Sequence, residues 1–271
     1  MSYKIIFSEF RDFYEKIGDT YRAQAYDRAI KDPNLSGKSL KSKIDTINNG
    51  GKLQELDEIR KYTALVSLRG FGVAFVKKAM KSGIPPKSLW TDAQRLSYKY
   101  RSVICSQIPR KIIKDYIVHF RKFAPVRGLG SYRRQKAYSG DVDLMLKSAD
   151  DFVFPRKIPG ILGFYLRGPN KFSWLTEFDG YVFQVDLLIV PSVEYATSLL
   201  YFTGSKTFNI DMRRHAKYSG FLLNEHGLYR DGERIKTATE REIFDIIGYP
   251  YVTPKNRTGG VPPHNPLLDK Y

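Results

Sequence analysis

Gly130-Ser131-Tyr132-Arg133-Arg134, followed by Ser139-Gly140-Asp141-Val142-Asp143-Leu144-Met145-Leu146, is the stretch on which the reading of this chain turns. In an extended strand alternate side chains share a face. Asp141 and Asp143 therefore present two carboxylates together, with Val142 and Leu144 entering a core behind them. Adjacent unpaired carboxylates repel, and a divalent cation relieves that repulsion. Hard oxygen ligands suit magnesium, which is usually held by one or two carboxylates plus substrate phosphates and water. A third carboxylate, Asp186, stands in a second apolar run, Val185-Asp186-Leu187-Leu188-Ile189-Val190, expected to lie beside the first. Two ions held this way, one activating an attacking hydroxyl and one holding the leaving phosphate oxygens, catalyse in-line phosphoryl transfer. The Gly130-Ser131 turn and Arg134 then offer a triphosphate backbone N–H groups, a hydroxyl and a guanidinium. Asp-x-Asp alone more often marks a solvated strand edge or turn. The turn upstream and Asp186 favour a metal site here.

Composition narrows the partners. The 271 residues carry 45 Lys and Arg against 28 Asp and Glu, a formal charge of +17, with a pI near 9.7. Neutralising phosphates releases counterions, so nucleic acid is the first polyanion expected, ahead of an anionic membrane surface or a ribosomal setting. With 42% hydrophobic and 14% aromatic residues a substantial core is available. Cys105 is the one cysteine, which excludes an intrachain disulfide and a cysteine-built zinc site, and His119, His215, His226 and His264 lack ligand spacing. No apolar run reaches signal-peptide or membrane-spanning length, so a soluble intracellular protein is expected, with nucleus and cytoplasm not distinguished.

From Phe7 to about Lys122 apolar residues recur every three or four positions, as in Phe10, Phe13, Tyr14 and Ile17. Breaks fall at Asp32-Pro33, Asn48 to Gly51, Gly70-Phe71-Gly72 and Ile84-Pro85-Pro86. This half reads as short helices joined by tight turns. From Phe123 the runs are β-branched and aromatic, as in Val142 to Leu146, Gly180 to Val190 and Phe221 to Leu223. The second half reads as a mixed sheet with helices over Val193 to Leu200 and Asn209 to His215. The polar, proline-bearing tail from Pro254 to Tyr271 is expected to order only by docking.

Gly130 to Leu146, Asp186, and the run Leu200-Tyr201-Phe202-Thr203-Gly204-Ser205-Lys206-Thr207-Phe208-Asn209 resemble the family X DNA polymerases, the polymerase beta-like enzymes. Gly220 to Tyr229, the helix start at Thr239-Glu240-Arg241-Glu242 and Gly248-Tyr249-Pro250-Tyr251 extend the likeness over essentially the whole second half. The resemblance implies that Asp141, Asp143 and Asp186 hold two Mg2+ ions, with Mn2+ able to substitute, and that Asp186 lies nearest the primer 3′-hydroxyl. It implies triphosphate binding at Gly130, Ser131, Arg134, Ser139 and Gly140. It further implies a sugar-contacting turn at Tyr201, Phe202 and Gly204, and a base-pair-facing helix carrying Asn209 and Arg213. Tyr201-Phe202 is the pattern of template-dependent members that exclude ribonucleotides: a backbone carbonyl and an aromatic edge against the sugar leave no room for a 2′-hydroxyl. One departure is Gln184, two residues before Asp186, where polymerase beta has an arginine. The expected result is an altered hydrogen bonding and basicity of Asp186.

In the helical half, Leu68-Arg69-Gly70-Phe71-Gly72-Val73-Ala74, followed by Phe75-Val76-Lys77-Lys78, has the form of a helix-hairpin-helix. Its glycines allow the tight turn and bring backbone N–H groups to a phosphate. Gly70, Gly72, Ala74, Lys77 and Lys78 are expected to grip a DNA backbone without reading sequence, with a monovalent cation at the turn. Leu35 to Asp45 sits where lyase-bearing members have a first such hairpin, with one glycine of two kept. In that register Lys43 falls on the family's Schiff-base lysine, with Tyr21 and Arg22 expected in the same pocket and Lys38 and Lys41 expected to lower its pKa.

The expected fold class is α+β: all-helical lyase-like (1–60) and helix-hairpin-helix (61–122) parts, a nucleotidyltransferase palm with a mixed sheet (123–190), and a small α/β nucleotide-selecting part (191–271). The expected function is template-directed addition of deoxynucleotides to a primer 3′-hydroxyl at short gaps, of the base excision repair type, with deoxyribose-phosphate lyase activity at Lys43. Expected partners are gapped or nicked DNA and a dNTP, with a DNA ligase and an abasic-site endonuclease as accessories, and the protein a monomer away from membranes. The rivals are an error-prone or end-joining polymerase and a non-catalytic protein of the same fold that binds DNA gaps or ends.

Overall fold

The structure is a computed structural model and describes residues 2–147, 154–155 and 158–257. The three- and four-residue apolar spacing of the first half becomes six helices in the first of two compact units, Met1–Arg101. They are α1 (Tyr3–Lys16), α2 (Thr20–Lys31), α3 (Lys38–Asn48), α4 (Gln54–Val66), α5 (Val73–Ser82) and α6 (Asp92–Tyr100). Each break falls where proline, glycine or asparagine interrupts the pattern. Asp19 caps α2 by accepting from the Arg22 N–H, and Thr91 with Gln94 forms a reciprocal capping box at α6. The core of this unit is aromatic. Tyr26 of α2 meets Phe7 edge-on at 5.0 Å and stacks on Phe10 at 4.8 Å, both from the buried stripe of α1.

The second unit, Ser102–Tyr271, opens with β1 (Ile108–Pro109), α7 (Arg110–Phe120), β2 (Arg127–Gly128), α8 (Gly130–Arg133), β3 (Tyr138–Ser139) and β4 (Val142–Lys147). It continues with β5 (Ile161–Arg167), β6 (Lys171–Phe178) and β7 (Tyr181–Val190). Five strands form one sheet in the order β2-β4-β7-β6-β5. β4 and β7 run parallel, and the other neighbours are antiparallel. Val142, Leu144, Val185 and Leu187 share a core with Ile113, Tyr116 and Phe120 of α7. The opposite face carries Met145 and Val190, which pack with Leu129 and Leu199.

Three sequence expectations change. Residues 102–122 belong to the second unit, because α7 supplies the helical wall of the sheet's core. The expected 61–122 part therefore spans the boundary. The helix expected over Val193 to Leu200 is instead a 3-10 turn (Ser192–Glu194) followed by α9 (Tyr195–Thr203), which takes Tyr201 and Phe202 into the helix's last turn. The remainder comprises α10 (Lys206–Tyr218), a three-stranded sheet of β8 (Leu222–Leu223), β9 (Leu228–Arg230) and β10 (Glu233–Ile235), and α11 (Glu240–Ile247). α10 begins earlier than expected because Ser205 caps it, accepting from the Phe208 N–H. Thr239 caps α11, and Gly248 ends it in the left-handed region at φ 68°. Most of the tail expected to order by docking, 258–271, lies outside the described residues.

Candidate active site

The parallel pairing of β4 with β7 aligns Asp143 directly with Asp186, and the antiparallel pairing of β6 with β7 sets Ser173 opposite Asp186. Three polar side chains thus form one row across three strands, on the face opposite α7. Asp141 lies one residue before the strand rather than within it. Asp143 is strained electrostatically: burial, then Asp141, then Asp186 push its carboxyl up to about 7, against the pull of Lys171 and Arg134. Among the described residues no three His, Cys, Asp or Glu side chains form a ready-made ion cage. The mutual repulsion of these carboxylates is nevertheless what a cation relieves, and sites completed by water and substrate phosphates need few protein ligands.

Gly130 ties this row to the turn upstream. It has φ +52°, and a Cβ there would stand 2.1 Å from Asp143 Oδ2, so only glycine lets α8 begin against the carboxylate. Ser131 Oγ donates to Ser139 Oγ at 2.7 Å, and Gly140 is exposed beside Asp141. Arg134 donates from Nη1 to the Thr203 carbonyl at 2.5 Å. Its Nε is buried and has no hydrogen-bond partner. Burial pulls its pKa down while Asp143 opposes that shift. The expected triphosphate turn is thereby fastened to the end of α9.

At that end Gly204 is the C-cap, φ +65°, and a Cβ on it would approach Arg134 Nη1. The Tyr201 and Phe202 rings pack edge to face at 4.9 Å. Asn209 and Arg213, expected to face a base pair, are both turned to Tyr201 in this structure. Asn209 Nδ2 donates to the Tyr201 carbonyl at 2.7 Å. Arg213 lies over the Tyr201 ring and pairs with Glu225 at 2.8 Å.

The altered hydrogen bonding expected at Asp186 is seen at Gln184, but two further contributors, Ser173 and Lys171, were missed by sequence reasoning. Gln184 Nε2 donates to Asp186 Oδ1 at 2.8 Å, Ser173 Oγ donates to the same oxygen, and Lys171 Nζ stands 3.6 Å from Asp186 Oδ2. The positive neighbour that Gln184 gives up on β7 is thus supplied across the sheet from β6. The period-two pattern of β6 offered a signal, but its register did not. Also missed was a buried ion triad. Arg133 grips Glu240 through both terminal nitrogens and donates to Thr203 Oγ1, while Arg257, fully buried, donates to Glu240 Oε1 at 2.7 Å.

In the first unit Gly70 takes φ +87°, and its carbonyl accepts from Gln94 Nε2 at 2.9 Å. Gly72 caps α5, Phe71 is fully buried, and Ala74, Lys77 and Lys78 are exposed on its first turns. Gly37 caps α3 with nearly the same backbone angles as Gly72, φ −66° and ψ 163° against −65° and 171°. The first hairpin therefore keeps its second corner despite the missing glycine. Lys43 departs from expectation. Burial lowers its pKa, but the Glu55 carboxylate and Tyr26 hydroxyl outweigh that and the net shift is upward. Lys38 and Lys41 are not among the causes. Tyr26, not the exposed Tyr21, is the tyrosine in contact with it.

Residues 198–258 match the family model for the DNA polymerase beta thumb. The chain is 28% identical to DNA polymerase lambda of Rattus norvegicus over 86% of its own length and 49% of that protein. With DNA polymerase lambda of Arabidopsis thaliana identity is 24%, covering 93% of this chain and 61% of the relative. With the DNA polymerase/3′-5′ exonuclease PolX of Bacillus subtilis (strain 168) it is 26%, covering 85% and 40%. The chain thus spans about half the length of these relatives. In fold it is similar to Leishmania infantum polymerase beta in a ternary P/T complex, with a TM-score of 0.59 at 24% identity, covering 72% of this chain and 97% of the other.

Proposed function

We propose, for a chain that belongs to the family X DNA polymerases, that it adds deoxynucleotides to a primer 3′-hydroxyl across short template gaps. The observation that carries this reading is the direct alignment of Asp143 with Asp186, with Gly130 pressed against Asp143. It sets carboxylates for cations and a turn for phosphates within one site. Asp141, Asp143 and Asp186 would hold two magnesium ions, which when bound supply charge neutralisation at the attacking and leaving oxygens. Asp186, held by Gln184 and Ser173, is the carboxylate proposed to face the primer 3′-hydroxyl and to take its proton. Ser131 and the N–H groups opening α8 bind the triphosphate, and Arg134 adds a guanidinium from the side of α9. Tyr201, Phe202 and Gly204 shape the sugar pocket against a 2′-hydroxyl. Lys43 is read as the amine of an accompanying deoxyribose-phosphate lyase, and the α5 turn as a grip on the DNA backbone.

The test is extension across a one-nucleotide gap opposite each template base, with 5′-phosphorylated and 5′-hydroxyl ends and with dNTP or rNTP. Template-directed, magnesium-dependent addition of deoxynucleotides is expected, and Asp186→Asn should abolish it. Gap filling that survives Asp186→Asn unchanged overturns the metal-site assignment. Addition that ignores the template would instead favour an end-joining enzyme.

A further inference from the structure

Lys43 occupies the position of a Schiff-base amine, yet its surroundings are those of a held cation. Its Nζ donates to Tyr26 Oη at 3.1 Å and to a carboxylate oxygen of Glu55. It also stands 5.4 Å from the centre of the Phe10 ring. The groups facing it come from three helices: Phe10 on α1, Tyr26 on α2 and Glu55 on α4. Of these Tyr26 and Glu55 titrate, and Tyr14 stacks beyond Tyr26 at 5.8 Å. The Lys43 side chain is 18% exposed and that of Glu55 58%. The amine is therefore part-buried, and the carboxylate beside it is exposed.

Resting on the reading of Lys43 as the lyase amine, we infer that Glu55 is a positioning residue that restrains this chemistry. It holds Lys43 as the ammonium, and it places a negative charge where an anionic sugar phosphate must enter. The reaction needs the free base. Lys43 Nζ must first lose a proton to solvent. Its lone pair then forms a C–N bond with the aldehyde carbon of a ring-opened deoxyribose 5′-phosphate, and the carbonyl oxygen, taking one proton from the amine and one from solvent, departs as water to leave an iminium. The adjacent carbon then gives a proton to water, its electron pair forms a C=C bond, and the next C–O bond breaks with the DNA phosphate leaving with that bond's electrons. No oxidant or reductant enters. Glu55 opposes the first step by ion pairing and the approach of substrate by repulsion, and both effects point the same way.

The experiment is borohydride trapping of the iminium on an incised abasic duplex, with wild type, Glu55→Gln, Lys43→Ala and the double variant, followed over a pH series. Because an anion beside an amine raises its pKa, removing it frees the base at lower pH. Glu55→Gln should trap roughly three- to tenfold more near neutrality, with its pH profile displaced to lower pH. A merely structural role for Glu55 would not displace that profile. A Glu55→Gln profile that coincides with or falls below that of wild type overturns the inference, as does the absence of trapping in both proteins. If Lys43→Ala loses trapping while Glu55→Gln changes nothing, the lyase reading stands and the role of Glu55 falls. If the double variant still traps, another amine is the nucleophile and the assignment of Lys43 falls with it.

Discussion

A Cβ at Gly130 would overlap Asp143 Oδ2 at 2.1 Å and strain a positive φ. Gly130→Ala should therefore displace the carboxylate, cost about 1–3 kcal/mol of stability, and abolish primer extension. A folded variant with wild-type extension would contradict the geometry. Asp143 makes a second prediction. Its carboxyl holds a proton more tightly folded, at about 7, than at its ordinary 3.8. The folded state therefore loses stability as pH rises through that window. Asp143→Asn has no charge to bury, so without magnesium it should outlast wild type by on the order of 1–3 kcal/mol above about pH 7 and match it near about pH 4. Magnesium should raise the melting temperature of wild type and not of the variant. Thermal melts across pH, with and without the ion, check both, and equal melting at high pH without magnesium would refute the electrostatic account. The two-residue period made Asp143 legible in the sequence, and the glycine before Ser131 was legible as a turn. Ser173 and Lys171 were not legible, because their nearness to Asp186 depends on a strand register that no local pattern encodes.

Helix ends carry the next set of consequences. The first turn of α5 exposes Ala74, and Lys77 and Lys78 follow on its outer face. Replacing both lysines with Ala should weaken DNA binding uniformly across sequences and reduce the slope of log affinity against log salt by about 1–2. Fluorescence anisotropy over a salt series measures this, and an unchanged slope would remove the helix from the interface. At α8 and α11 the buried triad sets a stability prediction. Burial alone would raise the Glu240 carboxyl, but Arg133 and Arg257 hold it below its ordinary 4.5. Its contribution is therefore present above about pH 4.5 and is lost as pH falls through the lower folded value. Glu240→Gln leaves two arginines buried without a counter-charge and should cost about 3–5 kcal/mol at neutral pH, read by denaturant unfolding. Caps such as Thr239 were readable from residue type and spacing. The extension of α9 through Thr203 was not, because the donors on the carbonyls at its end, Asn209 on Tyr201 and Arg134 on Thr203, lie outside the helix.

Each of the two units has its own hydrophobic core. Residues 1–101 and 102–271 produced separately should each unfold cooperatively, as circular dichroism melts would report, and a fragment lacking a cooperative transition would contradict that division. The sequence announced a helical half and a sheet-bearing half but put their border too late, since the periodicity of α7 marks a helix without saying which core it buries into. The sheet order has a further consequence for how this protein comes to be made. β7 leaves the ribosome after β4, β5 and β6, yet its place lies between β4 and β6. Until it arrives the β5–β6 hairpin and β4 each present an unpaired edge, the kind of surface on which nascent chains associate wrongly. Its insertion is the step that brings Asp186 beside Asp143. A growing chain therefore aligns Asp143 with Asp186 and pairs the facing edges of β4 and β6 in one event.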